Sequence, residues 1–240
     1  MRGLFVTGTG TEVGKTVVAA AIARAARQGG DRVAVFKPAV SGLDDHPLSP
    51  EIWESAPELP DHALLRLAAG SKQGDEHVAP YRYGPAVSPH LAAELAGERI
   101  DPDRLRGAAL GATEDADLLL CEGVGGFLVP LTTDYLVRDL ARDVALPVVV
   151  TASPGLGTIN HTLLTVQAVR AAGLEVAAVV LTPWPNEPSA MERSNLETIG
   201  RLGSVPVETL PRLDLTDPDS WPALQVGVGS PSAASSLRAA

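Results

Sequence analysis

Short apolar runs alternate along the chain with stretches in which apolar residues recur at helical spacing. The continuous runs predict buried strands at residues 4–7, 32–38, 117–121, 146–152, 175–182 and 205–209. Helical spacing and end signals predict helices at residues 15–27, 61–69, 89–96, 101–112, 159–172 and 190–202. Strands that are apolar throughout and alternate with helices are typical of a parallel sheet covered on both faces. We therefore predict an α/β fold, a single doubly wound domain with a mainly parallel sheet and helices on both faces.

Polar residues and proline mark where several of these helices begin. Asp61, Ser88 and Thr158 stand at predicted helix starts, and we expect them to be N-cap residues. Short polar side chains there accept hydrogen bonds from the N–H groups that the first turn leaves free. Pro102 lies just inside another start, and Gly173 follows a predicted helix end.

The length and composition predict one domain spanning residues 1–240. A chain of 240 residues can bury a substantial core. Because aromatic residues make up only 4% of the chain, the core should consist mainly of Ala, Val, Leu and Ile. From about residue 214 the sequence is rich in Pro, Gly, Ser and Ala, and we expect residues 214–240 to form a loosely packed tail.

The charge and the single cysteine narrow the class of protein. A formal net charge of -10 argues against nucleic acid or an anionic membrane surface as a partner. Cys121 is the only cysteine, so the chain has no internal disulfide. We recognise no signal peptide and no apolar stretch long enough to span a bilayer. These features predict a cytoplasmic protein.

The segment VTGTGTEVGKT, residues 6–16, follows a predicted strand and opens a predicted helix, as a phosphate-binding P-loop does. Its glycines allow backbone N–H groups to converge on phosphate oxygens. Lys15 is expected to reach the β- and γ-phosphates, and the Thr16 hydroxyl to bind Mg²⁺. Thr9 stands where the usual pattern has glycine, with Gly8 one residue earlier. The segment predicts a P-loop NTPase-like domain.

Two charged residues stand at the ends of predicted strands. Lys37 ends the second strand, and Glu122 follows the strand at 117–121 in the run CEGVGG. Carboxyl ends of strands in open α/β sheets face the ligand crevice. Either residue alone could be a surface charge or a turn acid. Beside a P-loop, we favour phosphate contact for Lys37 and Mg²⁺ binding for Glu122.

The motifs GTGTEVGKT, FKPAVSG, SPH, CEGVGG and GTINHTLLT together resemble the dethiobiotin synthetase family in order and spacing. The resemblance covers roughly residues 3–213. It implies an enzyme of biotin biosynthesis that joins CO₂ to 7,8-diaminononanoate (diaminopelargonate) and uses ATP. A substrate amine forms a carbamate, the γ-phosphate activates it as a carbamic–phosphoric anhydride, and the second amine closes the ring. The products are dethiobiotin, ADP and phosphate.

The resemblance also implies roles for individual residues. Lys37, Lys15 and Thr11 are expected to be catalytic and to contact the carbamate or the phosphates. The substrate-binding residues are expected to be Ser41 and Asn160. The Mg²⁺ ligands are expected to be Thr16, Asp61 and Glu122. Because the loop before Asp61 is long, Asp44 or Asp45 remains an alternative for that ligand.

Nucleotide binding is assigned by the same resemblance to Asp61 and to four short stretches of the chain. The residues are Glu12, Val13, Gly14, Lys15, Thr16, Val17, Asp61, Glu122, Gly123, Val124, Gly125, Thr182, Pro183, Pro211, Arg212 and Leu213. Many relatives have Asn-Asp where this chain has Thr182-Pro183, and Ala where it has Val124. The Thr182-Pro183 difference leaves the preferred nucleoside triphosphate open. Separately, the sequence does not reveal which amine is carboxylated first.

The resemblance further implies a homodimer with its active site at the subunit interface. The start of the helix in GTIN, around Asn160, is expected to receive the carboxylate of the partner's substrate. An anion at a helix N-terminus meets free N–H groups and a favourable dipole.

Three other classes of P-loop protein fit the sequence less well. Partitioning and septum-positioning ATPases carry a second lysine early in the loop, where this chain has Thr7 and Thr9. GTPases carry Asn-Lys-x-Asp, and no asparagine here is followed by lysine. Amide-forming synthetases that act on large cofactor precursors often carry a glutaminase domain, for which 240 residues leave no room. The pattern therefore favours a small metabolic ligase.

Overall fold

The computed structural model describes residues 2–44, 59–224 and 226–227. The strands are β1 (Arg2–Gly8), β2 (Val33–Phe36), β3 (Ala39–Val40), β4 (Tyr81–Arg82), β5 (Leu118–Glu122), β6 (Val148–Ala152), β7 (Val176–Trp184) and β8 (Val207–Pro211). Six of them form a sheet in the order β2-β5-β1-β6-β7-β8, and β3 pairs with β4. Every pairing between these strands is parallel. The prediction of a parallel α/β sheet is confirmed.

The helices are α1 (Lys15–Gln28), α2 (Asp61–Ala69), α3 (Asp75–Val78), α4 (Pro89–Leu95), α5 (Pro102–Gly111), α6 (Val137–Val144), α7 (Thr158–Ala171) and α8 (Ala190–Gly203), with a 3₁₀ turn at Pro218–Ser220. Side chains of α1 and α2 build the core on one face of the sheet. Those of α4 to α8 build the core on the other face. Within the described ranges, no helix is long and apolar enough to cross a membrane.

The central strand β1 illustrates why the apolar runs are continuous. Leu4 and Val6 pack on the side of α1, whereas Phe5 packs on the opposite side, and all three are completely buried. Each such burial stabilises the fold by roughly 1.5–3 kcal/mol. Because both faces are covered by helices, neither face of the strand needs polar residues.

The register of the strands brings the candidate residues to one edge of the sheet. In β1 and β5, Val6 pairs with Glu122. In β2 and β5, Phe36 pairs with Cys121, one residue before Lys37 and Glu122 respectively. These strands therefore end side by side, at the edge where open α/β sheets bind ligands.

The predicted N-caps were wrong at two helix starts. Asp61 is the first helical residue of α2, and its carboxylate contacts Lys37 instead of a backbone N–H. In α7 the N-cap is Gly157, whose φ of +90° suits glycine. Thr158 is already helical, and its hydroxyl lies 3.3 Å from that of Thr162. Both polar side chains have partners outside the capping position.

The expected loose packing beyond residue 214 was wrong for the part of that segment that the structure describes. Leu215 and Trp221 are buried in the core on the side of α1. On α1, the buried Arg24 donates hydrogen bonds to the backbone oxygens of Asp219 and Trp221, the latter at 2.9 Å. The buried Arg24 and a few buried apolar side chains therefore hold this segment, although its composition is typical of a loosely packed tail. The rest of the predicted tail lies outside the described residues.

Candidate active site

The loop between β1 and α1 has the tight geometry that phosphate binding requires. Glu12 and Gly14 have φ values of +59° and +87°, so the backbone turns through the left-handed region. A Cβ at Gly8 would lie 2.6 Å from a side-chain carbon of Val13, so a larger residue there would displace the loop's side chains. Lys15 Nζ donates to the Gly10 oxygen at 2.8 Å. The lysine therefore lies inside the curve of the loop.

Four side chains from four elements meet at the edge of the sheet. Lys37 follows β2, Glu122 ends β5, Thr16 lies in the first turn of α1, and Asp61 opens α2. Lys37 Nζ lies 2.6 Å from Glu122 Oε1 and 2.7 Å from Asp61 Oδ2. The Thr16 hydroxyl donates to the same Glu122 oxygen at 2.9 Å. The structure thus brings together residues that lie far apart in the sequence.

Burial and ion pairing set the charge states in this cluster. Burial lowers the pKa of Lys15 to about 8. Burial also acts to lower the pKa of Lys37, but the carboxylates of Asp61 and Glu122 outweigh it and raise that pKa. For Asp61, burial acts to raise the pKa, and Lys37 reverses the effect and lowers it. For Glu122, which is completely buried, burial dominates and raises the pKa.

The cluster fits a divalent cation. Glu122 Oε2 is buried and accepts no hydrogen bond within the described residues. A hydroxyl and two carboxylates are the hard oxygen donors that Mg²⁺ prefers. Within residues 2–44, 59–224 and 226–227, no group of three or more His, Cys, Asp or Glu could hold a metal ion alone. An ion here would therefore complete its shell with phosphate and water oxygens, as Mg²⁺ does in nucleotide sites.

The structure describes two of the three aspartates that were candidates for the metal site. Asp61 lies beside Lys37 in the cluster. Asp44 lies instead beside Gly84, whose oxygen accepts from the Asp44 N–H at 3.0 Å. Asp45 lies outside the described residues. Of the two described aspartates, only Asp61 shares a contact with Glu122, through the Lys37 ammonium.

A glycine-rich turn after β5 packs against the phosphate loop. The Gly123 N–H donates to the Val6 oxygen at 2.8 Å, and Gly125 has a φ of +62°. Gly126, which the sequence prediction omitted, lies beside the phosphate loop, and a Cβ there would make an ordinary contact of 3.6 Å with the Gly8 oxygen. The glycine run itself was the available signal. The turn after β5 therefore lies directly against the phosphate loop.

The remaining predicted residues lie outside this buried cluster and differ in their burial. Thr11 is exposed at the tip of the loop, and Val17 is buried in α1. Ser41 follows β3 and is half-buried, as is Val124 in the turn after β5. Asn160 is exposed in the first turn of α7 and is not part of the cluster of its own chain.

The residues that the resemblance assigns to the nucleotide base lie near the ends of β7 and β8. These strands are on the opposite side of β1 from β5. Strands β7 and β8 are neighbours, and Trp184 pairs with Pro211 at their carboxyl ends. Thr182 and Pro183 therefore lie beside the segment that leaves β8. Thr182 is buried, and its hydroxyl has no partner among the described residues. Further along the chain, Arg212 is exposed and Leu213 is buried.

Comparison with solved structures establishes the fold. The cell division ATPase MinD of Pyrococcus furiosus aligns with a TM-score of 0.53 at 16% identity, covering 89% of this chain and 84% of that one. The MinC:MinD complex of Aquifex aeolicus aligns with a TM-score of 0.52 at 14% identity, covering 89% and 82% of the two chains. At such identities the likeness concerns the architecture alone.

Comparison of sequences identifies the family as well as the fold. A family model described as an AAA domain matches residues 2–219. The ATP-dependent dethiobiotin synthetase of Rhodococcus erythropolis is 42% identical over 205 residues, which are 85% of each chain. That of Bacillus subtilis is 34% identical over 207 residues, covering 86% of this chain and 85% of the relative. That of Anaeromyxobacter dehalogenans is 41% identical over 202 residues, covering 84% and 86%. The chain therefore belongs to the ATP-dependent dethiobiotin synthetase family.

Proposed function

We propose that the protein joins CO₂ to diaminopelargonate and closes the ureido ring of dethiobiotin, converting ATP to ADP and phosphate. The observation that carries this proposal is the buried contact of Lys37 with Glu122 and Asp61, directly beside a phosphate loop. Relatives with 34–42% identity carry the name of this enzyme. Because ATP is the co-substrate, we place the reaction in the cytoplasm.

The chemistry requires two anions to meet. A carbamate and a γ-phosphate at about 4 Å repel one another by roughly 4 kcal/mol at an effective dielectric of 20. The ammonium groups of Lys15 and Lys37 offset this repulsion and stabilise the phosphoryl group during transfer. Both lysines are buried, so water screens their charges little. The carbamate oxygen attacks phosphorus, and no nucleophile from the protein takes part.

The supporting residues hold these cations and the metal. Asp61 and Glu122 fix the Lys37 ammonium from two sides. Together with Thr16 they are the proposed ligands of Mg²⁺, which would neutralise charge on the transferring phosphate when bound. We assign Thr11 and Ser41 to contacts with the carbamate and the substrate.

The nucleotide would lie across the middle of the sheet. Residues 12–17 would contact the phosphates, and residues 122–125 would flank them on the side of β5. Thr182 and Pro183 on β7 and residues 211–213 after β8 would flank the base. This assignment is supported by the strand order, which has β1 between β5 and β6 and puts β7 and β8 beyond it.

A homodimer would complete the site. Asn160 and the backbone N–H groups at the start of α7 would receive the carboxylate of the partner's substrate. Support comes from exposed apolar side chains beside them. Leu156 is 92% exposed just before α7, and Leu164 is 56% exposed one turn after Asn160. Contact with a partner would remove the apolar surface of these two leucines from water, which favours such an interface.

The test is phosphate release by the purified protein with ATP, Mg²⁺ and bicarbonate. We expect release only when diaminopelargonate is added, with dethiobiotin formed in equal amount. The fold is shared with septum-positioning ATPases, so DNA and lipid vesicles serve as controls. Phosphate release that ignores the diamine and rises with DNA or vesicles would contradict the proposal.

A further inference from the structure

A buried amide on α8 holds the turn that precedes α7. Asn195 is only 6% exposed, and its side-chain amide donates to two consecutive backbone oxygens. The acceptors are Pro154 at 2.9 Å and Gly155 at 3.2 Å, 41 and 40 residues away in the chain. Two carbonyl acceptors determine which end of the amide faces the turn, because only the NH₂ group can donate.

Within the described part of the chain, the other hydrogen bonds that involve this turn are backbone bonds to α7. Residues 153–157 connect the carboxyl end of β6 to α7, and Leu156 on this turn is 92% exposed. The backbone bonds that close the turn onto the helix are long, with Thr158 N–H to Gly155 oxygen at 3.3 Å and His161 N–H to Gly157 oxygen at 3.4 Å. Between this turn and α8, the shortest polar contact among the described residues is the hydrogen bond from the Asn195 amide to the Pro154 oxygen.

The turn determines where the free N–H groups of α7 point. Gly157 is the N-cap of this 14-residue helix, and its φ of +90° allows a sharp change of direction. A helix start offers a directional set of donors, so a small rotation of the turn redirects all of them. In a reaction site, a displacement of about 1 Å can cost on the order of a hundredfold in rate.

We infer that Asn195 is a positioning residue for recognition of the substrate carboxylate. By holding the oxygens of Pro154 and Gly155, it fixes the turn and with it the start of α7. It acts through the turn and does not contact the substrate. The inference rests on the proposed function, in which the start of α7 binds the carboxylate of diaminopelargonate.

The experiment compares Michaelis constants for two substrates. Asn195→Asp keeps the size of the side chain but has no N–H to donate and turns a charge toward two carbonyl oxygens. We expect the KM for diaminopelargonate to rise by about tenfold or more, with the KM for ATP changed by less than about twofold. Asn195→Ser, which is smaller and uncharged, should show the same selective change and serves if the aspartate variant does not fold.

The matched control is Ile199→Ala, one turn further along α8. Ile199 is completely buried in the apolar core, and its side chain has no polar group that could bond the turn. This variant should lower the melting temperature and leave the KM for the diamine unchanged. An equal rise of that KM in Ile199→Ala, or none in the Asn195 variants, would overturn the inference alone. Absence of diamine-dependent phosphate release in the unmodified protein would overturn the proposed function, and the inference with it.

Discussion

Lys37 Nζ lies 2.6 Å from Glu122 Oε1, although 85 positions separate the two residues in the chain. The parallel pairing of β2 with β5 makes this contact possible, because Phe36 and Cys121 are in register directly before them. Both side chains are buried, so the loss of either one would leave the other charge in the interior with fewer groups to stabilise it. The ion pair holds a cation at the place where the phosphoryl group is expected to transfer.

Replacing Lys37 by alanine should lower kcat by about 100- to 1000-fold, because a cation aimed at the developing charge is lost. Steady-state phosphate release measures the effect, and circular dichroism checks that the variant is folded. Lys72→Ala is the control, since Lys72 is exposed. Near-normal turnover in Lys37→Ala would remove this residue from the mechanism.

The metal assignment predicts that Asp61→Asn raises the Mg²⁺ concentration needed for half-maximal activity. Loss of a residue that merely supports a metal ligand costs roughly ten- to hundredfold in metal affinity. Loss of a direct ligand should cost at least as much. The matched control is Asp44→Asn, because Asp44 lies beside Gly84 and away from the cluster. If Asp44→Asn shifted the Mg²⁺ requirement and Asp61→Asn did not, the assignment would be reversed.

Nucleotide affinity should fall at alkaline pH because burial lowers the pKa of Lys15 to about 8. A bound triphosphate favours the charged ammonium and raises its pKa, so binding above that pH takes up a proton. Affinity should therefore be constant below about pH 8 and fall as the pH rises further, by up to about tenfold per unit. Isothermal titration calorimetry of a non-hydrolysable ATP analogue measures it.

The control for this pH dependence is Lys15→Arg, whose guanidinium stays charged throughout the range. In this variant the affinity for the ATP analogue should no longer fall as the pH rises above about 8. An unchanged pH profile in Lys15→Arg would assign the effect to another group.

The C-terminal segment predicts a difference between two arginines on α1. Arg24 is buried and bonds two backbone oxygens, so Arg24→Ala should lower the free energy of unfolding by about 1–3 kcal/mol. The exposed pair of Arg27 with Asp219 is worth about 0–1 kcal/mol, so Arg27→Ala should change little. Urea denaturation measures both. Equal losses would show that the segment is not held by Arg24.

Much of the fold could be predicted from the sequence because its main strands are apolar throughout and its helices have clear ends. The helices α3 and α6, the 3₁₀ turn at Pro218–Ser220 and the short strands β3 and β4 were not predicted. Strands of only two residues are too short to show a periodic pattern, and where they form depends on contacts elsewhere in the fold.

The site was predictable where a motif or a strand end fixes a position, as for Lys15 and Glu122. The sequence could not choose among the aspartates, because the length of a loop does not determine where it returns to the sheet. Nor could it identify Asn195, since an asparagine within a helix is ordinary until its partners are known. The burial of Trp221 also depends on a distant arginine that composition does not reveal.

The oxygen atoms of bicarbonate provide the most direct test of phosphoryl transfer to a carbamate. The carbamate oxygen that attacks the γ-phosphorus remains with phosphate when the second amine closes the ring. With ¹⁸O-labelled bicarbonate, mass spectrometry should find one labelled oxygen in each phosphate released, in amounts equal to the dethiobiotin formed. Phosphate that takes its new oxygen from water would contradict the mechanism.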